Sequence, residues 1–230
     1  MWQLYKYQAI NKMVLSNLAH RKLWVSFPSV FNDPFEFRLQ RTNDVRGLEE
    51  LRKQNPHLGH LNDADLVKRA IEGYESHIRS WGVICFTEVP DSILMWSHYA
   101  DLHRGICLGF CGREEAENPN DIALYQVVYE EEYPELDFSK IWYKDGLAKI
   151  LWTKHVGWAH EQEWRLIHAD VAANRLIDYP GRLNKIIFGL RTTQADRYLV
   201  KSILKAEEDV EYFEVVQDDR KYKLHIQPIQ

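Results

Sequence analysis

The sequence lacks several patterns that would assign a function directly. Its glycines at Gly157, Gly181 and Gly189 are isolated, so neither a phosphate-binding loop nor a dinucleotide fingerprint is present. The G-x-S-x-G pattern is absent, and so are HExxH and the spaced His and Cys pairs of zinc fingers. We therefore expect no structural or catalytic metal ion.

Positive charge, cysteine and long apolar runs are also scarce. The chain has 29 Lys and Arg against 34 Asp and Glu, a net charge of -5, which argues against binding to nucleic acid through overall charge. Binding of nucleic acid through a local basic groove is the alternative. Cys85, Cys107 and Cys111 are odd in number and form no CxxC pair, as expected for reduced thiols.

The scarcity of long apolar runs bears on localisation. No segment approaches about 18 consecutive apolar residues, and the N-terminus lacks a basic start followed by an apolar run. We therefore expect a soluble cytoplasmic protein that does not bind to membranes.

Hydrophobic and aromatic residues are plentiful. The 230 residues are 45% hydrophobic and include eight Trp, twelve Tyr and nine Phe, enough for one domain over residues 1–230. Either the core is unusually aromatic or some of the rings line a pocket.

The hydrophobic pattern predicts an α+β protein, with a mixed or split antiparallel sheet core and flanking helices. Helices are predicted after Asn11, over Phe138 to Trp152, and from Thr193 to about Ala206. Strands are predicted at Leu4–Tyr7, Leu23–Phe27, Ala123–Tyr129, Lys185–Leu190, Val210–Val216 and Tyr222–Ile229.

The charged stretch at about 47–80 is predicted to be a helical insert, a lid or surface hairpin. It breaks at Asn55-Pro56, and a helix begins near Asn62. Its charges are most simply a solvated face.

The stretch from Ile84 to Phe110 places a histidine-rich and aromatic segment between two apolar runs. We predict a helix capped by Asp91 or Ser92 and ended by Gly105. Its candidate binding residues are Trp96, His98, Tyr99 and His103, with Trp96, Tyr99 and His103 on one side. Alternatively, Trp96 and Tyr99 are core aromatics and His103 is a satisfied, partly buried imidazole.

Two further stretches carry candidate site residues. The loop from Pro28 to Glu36 presents Asn32 and Asp33 on an apolar base, or is simply a packed connection with an Asx turn. If Glu161 to His168 is a strand, then Glu161, Glu163 and Arg165 share one face, where repulsion would raise the pKa of one carboxyl. The alternative is an exposed edge strand with a Glu-Arg surface pair.

These parts suit the breaking of a bond at a sugar carbon. An oxocarbenium-like transition state needs a nearby carboxylate, and aromatic faces hold a flat leaving base. Glu161 and Glu163 supply carboxylates, the central helix supplies rings, and the N-terminal strands contribute Lys6, Tyr7 and Ser26.

Several phrases resemble an uncharacterised bacterial family, a domain of unknown function often met in phage-defence contexts. The phrases are LYKY, LWVSFPSVFNDPFEFR, CFTEVPDSILMWSHYADLHRGICLGF and EQEWRL. The likeness covers most of the chain except the insert, and implies no reaction.

At a greater distance, the order of elements and the late E-x-E are similar to the ADP-ribosyltransferase fold. This resemblance implies NAD as a substrate, Glu163 as catalytic carboxylate and Glu161 as the residue that orients the nucleophile. Tyr99 or Trp96 would be the nicotinamide platform, and Tyr5 or Lys6 would stand where those enzymes often place His or Arg. The Ser-Thr-Ser phrase of those enzymes is absent.

Three functions compete. The first is NAD-dependent ADP-ribosyl transfer to a protein or nucleic-acid acceptor, in a phage-defence or toxin effector. The second is a non-catalytic nucleotide or nucleic-acid sensing module, with Trp96, Tyr99 and Arg165 as a stacking and charge platform. The third is a metal-assisted nuclease using Asp33, Glu36, Glu161 and Glu163.

Overall fold

The computed structural model describes residues 1–40, 47–112, 122–135, 137, 149–168, 176–206 and 209–229. Its helices are α1 (Lys12–Ala19), α2 (Leu48–Gln54), α3 (Asp63–Ile78), α4 (Ile93–Tyr99) and α5 (Gln194–Ile203). Residues 149–152 are helical too, and 3-10 turns span Pro28–Val30, Pro56–Leu58 and Val156–Glu161. Most of the helix predicted over Phe138 to Trp152 lies outside the described residues.

The strands form one large sheet and two small ones. They are β1 (Trp2–Gln8), β2 (Lys22–Trp24), β3 (Gly82–Thr87), β4 (Ile106–Gly112), β5 (Ile122–Gln126), β6 (Val128–Glu130), β7 (Thr153–His155), β8 (Glu163–His168), β9 (Leu176–Asp178), β10 (Arg182–Phe188), β11 (Glu211–Gln217) and β12 (Leu224–Pro228). The eight-stranded sheet has the order β12-β11-β10-β4-β1-β3-β8-β5, and β2-β9 and β6-β7 are separate pairs.

Neighbours in the large sheet are antiparallel except β10 and β11, which are parallel. The protein is therefore α+β with a large mixed, mostly antiparallel sheet, and the predicted class is confirmed at this level. None of the described helices is long and apolar enough to cross a membrane.

Side-chain caps begin four helices at or beside the positions that the sequence predicts. Asn11, Asn62, Ser92 and Thr193 each accept a hydrogen bond from the backbone N–H three residues later. Each bond satisfies one of the amides that a helix start leaves without an intrahelical partner.

The central helix is shorter than predicted, and the prediction that Gly105 ends it is wrong. Helix α4 stops at Tyr99, and Asp101, Leu102 and His103 follow with φ of 47°, 54° and 69°. This left-handed run lies between α4 and β4, so His103 is not on the helix and does not share a helical face with Trp96 and Tyr99.

Two strand predictions are also corrected. Strand β2 ends at Trp24, short of Phe27, and Ser26 forms only an isolated bridge with Val83. The predicted strand from Ala123 to Tyr129 divides at Val127, whose N–H donates to the Glu163 carbonyl at 2.9 Å. After that bond the chain leaves β8, and β6 pairs with β7.

Opposite faces of the sheet are covered by different helices. On one face α1 and α5 pack Val14, Leu18 and Val200 against strand residues such as Phe110 and Phe188. Because side chains alternate along a strand, the neighbouring residues point to the other face. That face carries two separate apolar clusters.

The first of these clusters contains Leu66, Ile71 and Ile78 of α3 together with Val83 of β3 and Ile167 of β8. Residues 47–80 therefore contribute to the core through α3, while charged residues such as Arg69 and Glu72 stay exposed. The second cluster contains Tyr7, Met95, Trp96, Cys107 and Ile187. The polar site lies on this face of the sheet, between the two clusters.

Candidate functional site

The candidate site is a cleft of about 290 Å³ where β1 and β3 separate. These strands share one register pair, Tyr5 with Thr87, whereas β1 and β4 share seven. Ser26 pairs with Val83 through two backbone hydrogen bonds of 2.8 and 3.1 Å, where β1 no longer reaches β3. The cleft is lined by Tyr5, Lys6, Tyr7, Trp24, Ser26, Val30, Phe31, Asn32, Val83, Cys85, Phe86, Thr87, Met95, Tyr99, Lys154, Glu161 and Glu163.

The floor of the cleft is a buried ion network centred on Lys154. Its ammonium donates to Glu161 Oε2 at 2.6 Å and to Glu163 Oε2 at 2.9 Å, and it lies 3.4 Å from Glu36 Oε1. The four side chains are at most 4% exposed. Buried charges of this kind are tolerated because each has an opposite charge within hydrogen-bond reach.

Arg165 extends the network behind Glu163. Its Nε donates to Glu163 Oε1 at 2.8 Å and its Nη2 to Glu163 Oε2 at 3.0 Å, which is a bidentate pair. The same guanidinium donates to a Glu36 oxygen and to the Leu151 carbonyl. The guanidinium carbon also lies 5.1 Å from the ring centroid of Phe37. Arg165 is fully buried, so the predicted surface Glu-Arg pair does not form.

Burial and neighbouring charges shift the pKa values of three members of the network, Glu163, Lys154 and Glu36. Burial would raise the pKa of the Glu163 carboxyl, but Arg165 and Lys154 outweigh it and lower that pKa to about 2. Burial lowers the pKa of the Lys154 ammonium, but Glu163, Glu36 and Glu161 outweigh it and raise that pKa. Burial raises the pKa of Glu36 despite its two cationic neighbours. The raised carboxyl is therefore Glu36, and the prediction of a raised pKa does not hold for Glu163.

Glu161 lies at the cleft side of the network. The Tyr99 hydroxyl donates to Glu161 Oε1 at 2.6 Å, and Asn32 Nδ2 donates to the Tyr99 oxygen at 3.3 Å. Burial and the bond to Glu161 raise the pKa of Tyr99, which keeps its hydroxyl protonated as a donor. Two hydrogen bonds therefore connect Asn32 of the loop, Tyr99 of α4 and the Glu161 carboxylate.

The E-x-E residues reach the network from different local structures. Glu163 begins β8 and pairs in register with Thr87, whereas Glu161 ends the 3-10 segment before it. Gln162 between them is left-handed, with φ of 42°. The prediction that both lie on one strand face is therefore wrong. They meet because the turn at Gln162 and the shared Lys154 bring the two carboxylates together.

The predicted residues of β1 line the cleft. Lys6 Nζ donates to the Cys85 carbonyl at 3.1 Å, across the opening between β1 and β3, and burial lowers the pKa of this ammonium. The Tyr7 hydroxyl donates to the Val89 carbonyl at 2.7 Å. Among the described residues, the hydroxyls of Tyr5 and Ser26 have no hydrogen-bond partner.

Asp33 and three residues of the central segment lie outside the cleft lining. Asp33 accepts a hydrogen bond from Trp158 Nε1 at 2.7 Å and caps its own loop at the Phe35 N–H. Trp96 is fully buried and packs edge-to-face on Tyr7, with centroids 5.0 Å apart. His98 is exposed, and His103 stacks on Trp96 and contacts Ser97 through Nε2 at 3.1 Å.

No sequence pattern identifies Lys154, which is the central cation of the site. It is a single lysine on a three-residue strand, next to residues that form no motif. Thr87 is likewise absent from the predicted site: its hydroxyl donates to the Glu161 carbonyl and accepts from the Val89 N–H. Glu36 is predicted only as part of a nuclease site, although it belongs to the loop phrase FNDPFE.

The carboxylates of this site surround the side-chain ammonium of Lys154. Across the described ranges, no group of three His, Cys, Asp or Glu side chains is arranged to hold a metal ion. Lys154 occupies the space between the three carboxylates, and Asp33 bonds to Trp158 instead of joining them.

Fold and site together define an α+β protein with a buried ion network at the floor of an aromatic-lined cleft. Residues 95–166 match a family model described as a protein of unknown function (DUF2971), so the expected likeness to an uncharacterised family is confirmed over this segment. The segment contains Tyr99, Lys154, Glu161, Glu163 and Arg165 but not Lys6 or Glu36. No curated protein and no solved structure matches the chain.

Proposed function

We propose that the cleft binds NAD and that the protein transfers its ADP-ribosyl group to a protein or nucleic-acid acceptor. The observation that supports this most is the Glu161 carboxylate, hydrogen-bonded to Tyr99 at the wall of a cleft that also contains the rings of Trp24 and Phe31. A carboxylate stabilises developing positive charge on a sugar, and ring faces hold a flat base. The fold that this proposal implies is ADP-ribosyltransferase-like.

The aromatic faces of the cleft support a ligand with a cationic ring. Glu36, Glu161 and Glu163 face Lys154 and Arg165. Burial raises the pKa of Glu36, and Lys6 lines the same cleft, so the network carries no fixed excess of negative charge. A positively charged nicotinamide ring would instead meet the ring faces and the Glu161 carboxylate. The low pKa of Glu163 keeps its charge constant at neutral pH.

Hydrogen-bond counting assigns the two glutamates different roles in this proposal. A carboxylate offers about four acceptor sites. Glu163 accepts two bonds from Arg165 and one from Lys154, and the Cys85 thiol lies within bonding reach. Glu161 accepts one bond on each oxygen from described residues. Glu161 is therefore proposed to contact the ribose, and Glu163 to support it.

The proposed reaction breaks the bond between the ribose anomeric carbon and the nicotinamide nitrogen. The bonding electron pair goes to the ring nitrogen, and neutral nicotinamide leaves. Glu161 stabilises the oxocarbenium-like ribose opposite it, because Tyr99 and Lys154 hold its carboxylate in place before the reaction begins. The acceptor, or water in its place, then bonds to the anomeric carbon and loses a proton.

The test is release of nicotinamide from NAD by the purified protein. Glu161→Gln keeps the shape of the side chain and removes its charge, so we expect about 10²- to 10³-fold slower release with the fold retained. Glu163→Gln should also slow release, because Arg165 and Lys154 lose a partner. Glu72→Gln on the exposed face of α3 is the matched control and should match wild type. Wild-type protein that binds NAD but releases no nicotinamide would refute transfer.

That last outcome would support a second candidate, a non-catalytic nucleotide-sensing module. The observation that favours it is the near-complete pairing of the Glu163 carboxylate, which makes the network a rigid floor. Such a module should bind nucleotides with an affinity that the Phe31→Ala substitution weakens, and should not convert them. Isothermal titration with NAD, together with an assay for its products, separates the two candidates.

A further inference from the structure

Lys154 joins carboxylates from three separate parts of the chain. Glu36 comes from the loop after the first 3-10 turn, Glu161 from the last 3-10 segment, and Glu163 from β8. Their distances from the Lys154 ammonium are 3.4, 2.6 and 2.9 Å. The ammonium donates hydrogen bonds to Glu161 and Glu163, whereas its contact with Glu36 Oε1 is an ion pair, and that oxygen is buried with no hydrogen-bond partner among the described residues.

The two cations of the network differ in what they touch. Arg165 hydrogen-bonds Glu163, Glu36 and the Leu151 carbonyl. Among the described cations, Lys154 is the one that ion-pairs with Glu161. Glu163 would therefore keep a bidentate partner without Lys154, whereas Glu161 would keep only the hydroxyl of Tyr99.

We propose that Lys154 is a positioning residue: its ammonium holds Glu161 beside Glu163, so that the free acceptor sites of Glu161 face the cleft. This inference rests on the proposed function, since the group being positioned is the carboxylate assigned to the ribose. Two carboxylates this close repel unless a cation lies between them. Without Lys154, Glu161 loses the cation that holds it beside Glu163 and turns away, so its carboxylate no longer faces the ligand.

A merely structural lysine would affect stability but not the pH profile of turnover, and this difference gives the test. In Lys154→Gln the charge is lost, and we expect kcat for NAD cleavage to fall about 10²-fold with KM nearly unchanged, because the ligand still meets the rings. The loss of a cation also raises the pKa of its carboxylate neighbours. The acid limb of the kcat profile should therefore move to higher pH.

Two further variants complete the design. Lys154→Arg keeps the charge but changes the geometry, so its acid limb should stay at the wild-type pH while kcat falls by a smaller factor. Lys22→Gln removes a lysine from an ion pair with Asp178, whose carboxylate is 86% exposed, and should leave both kcat and the profile unchanged. An acid limb that moves equally in the Arg and Gln variants would overturn the proposal.

A measurement without turnover separates this inference from the proposed function. Carbon-13 NMR of the glutamate carboxyls follows the titration of Glu163 in the folded protein, where Lys154→Gln should raise the midpoint and Lys22→Gln should not. If wild type does not cleave NAD, the proposed function fails, and an unchanged Glu163 midpoint in folded Lys154→Gln then refutes the role of Lys154 separately. If Lys154→Gln does not fold, the Arg variant decides: its Glu163 midpoint should stay low, and a raised midpoint refutes the proposal.

Discussion

The two sides of strand β1 are built differently. Towards β4 it forms a ladder of seven register pairs, from Trp2 with Gly112 to Gln8 with Ile106. Towards β3 it shares one pair, Tyr5 with Thr87. The closed side continues an apolar core, whereas the open side carries the cleft and its buried charges.

The difference shows how a sheet can accommodate a polar site in its interior. Where the ladder is lost, side chains take over as hydrogen-bond partners: Lys6 donates to the Cys85 carbonyl, and Ser26 pairs with Val83 through its backbone. Buried polar groups need such partners, because an unpaired one costs about 1–3 kcal/mol. The open side is thus stabilised by specific pairs and the closed side by packing.

The largest effect is expected from breaking the network on the open side. Arg165→Met leaves Glu163 and Glu36 buried without their main cation, and we expect a loss of about 3–5 kcal/mol in the free energy of unfolding. The matched control is Arg182→Met on β10, whose pair with Asp209 is exposed, so this variant should unfold close to wild type. Urea unfolding measures both. A loss of under 1 kcal/mol for Arg165→Met would mean that the network does not hold the open side together.

Acid pH should weaken the same side. The pKa of Glu163 is about 2 in the folded protein, below the value of about 4.3 for an unfolded glutamate. Its stabilising contribution is therefore complete above about pH 4.3, is lost as the pH falls through about 2, and is on the order of 3 kcal/mol.

Urea unfolding between pH 2 and 6 tests this contribution. Glu163→Gln should be less stable than wild type at pH 6, and the difference should shrink towards pH 2. Glu72→Gln, on the exposed face of α3, should follow the wild-type curve throughout. Parallel curves for wild type and Glu163→Gln would contradict the assignment of the low pKa to this carboxyl.

The closed side should instead be sensitive to added volume. A Cβ on Gly105 would lie 2.2 Å from the Gln8 carbonyl oxygen, at the end of the β1–β4 ladder. Gly105→Ala should therefore cost about 1–3 kcal/mol. Gly73→Ala in α3 meets no atom within 4 Å and should stabilise the protein by up to about 1 kcal/mol, because alanine favours helix. Thermal unfolding should show a lower Tm for Gly105→Ala and a higher Tm for Gly73→Ala. An unchanged Tm for Gly105→Ala would show that the end of the β1–β4 ladder can accommodate the added methyl group.

Much of the fold could be predicted because its signals are local. The caps at Asn11, Asn62 and Thr193 and the hairpin of β11 and β12 depend on residues within a few positions of each other. The left-handed turn after Tyr99 could not be predicted in this way, because it places three non-glycine residues in a conformation that only their tertiary contacts stabilise.

The residues of the candidate site also differ in whether the sequence alone could identify them. Glu161, Glu163 and Tyr99 could be proposed from their chemistry and do line one cleft. Lys154 could not, because its importance comes from three carboxylates as far as 118 positions away, and a lone lysine carries no pattern. Trp96 and His103 resembled site residues by type, but they pack on each other behind Tyr7.

The smallest expected effect compares two tyrosines of the same strand. The Tyr7 hydroxyl bonds the Val89 carbonyl at 2.7 Å, whereas the Tyr5 hydroxyl has no partner among the described residues. Tyr7→Phe should therefore cost about 1 kcal/mol of stability, and Tyr5→Phe less than about 0.5. If the cleft holds a nucleotide, the order reverses for binding, because the Tyr5 hydroxyl, which bonds no described residue, is the one available to a ligand. Urea unfolding and NAD titration on the two variants test both orders, and a Tyr5→Phe variant that loses stability but not affinity would assign Tyr5 to the core.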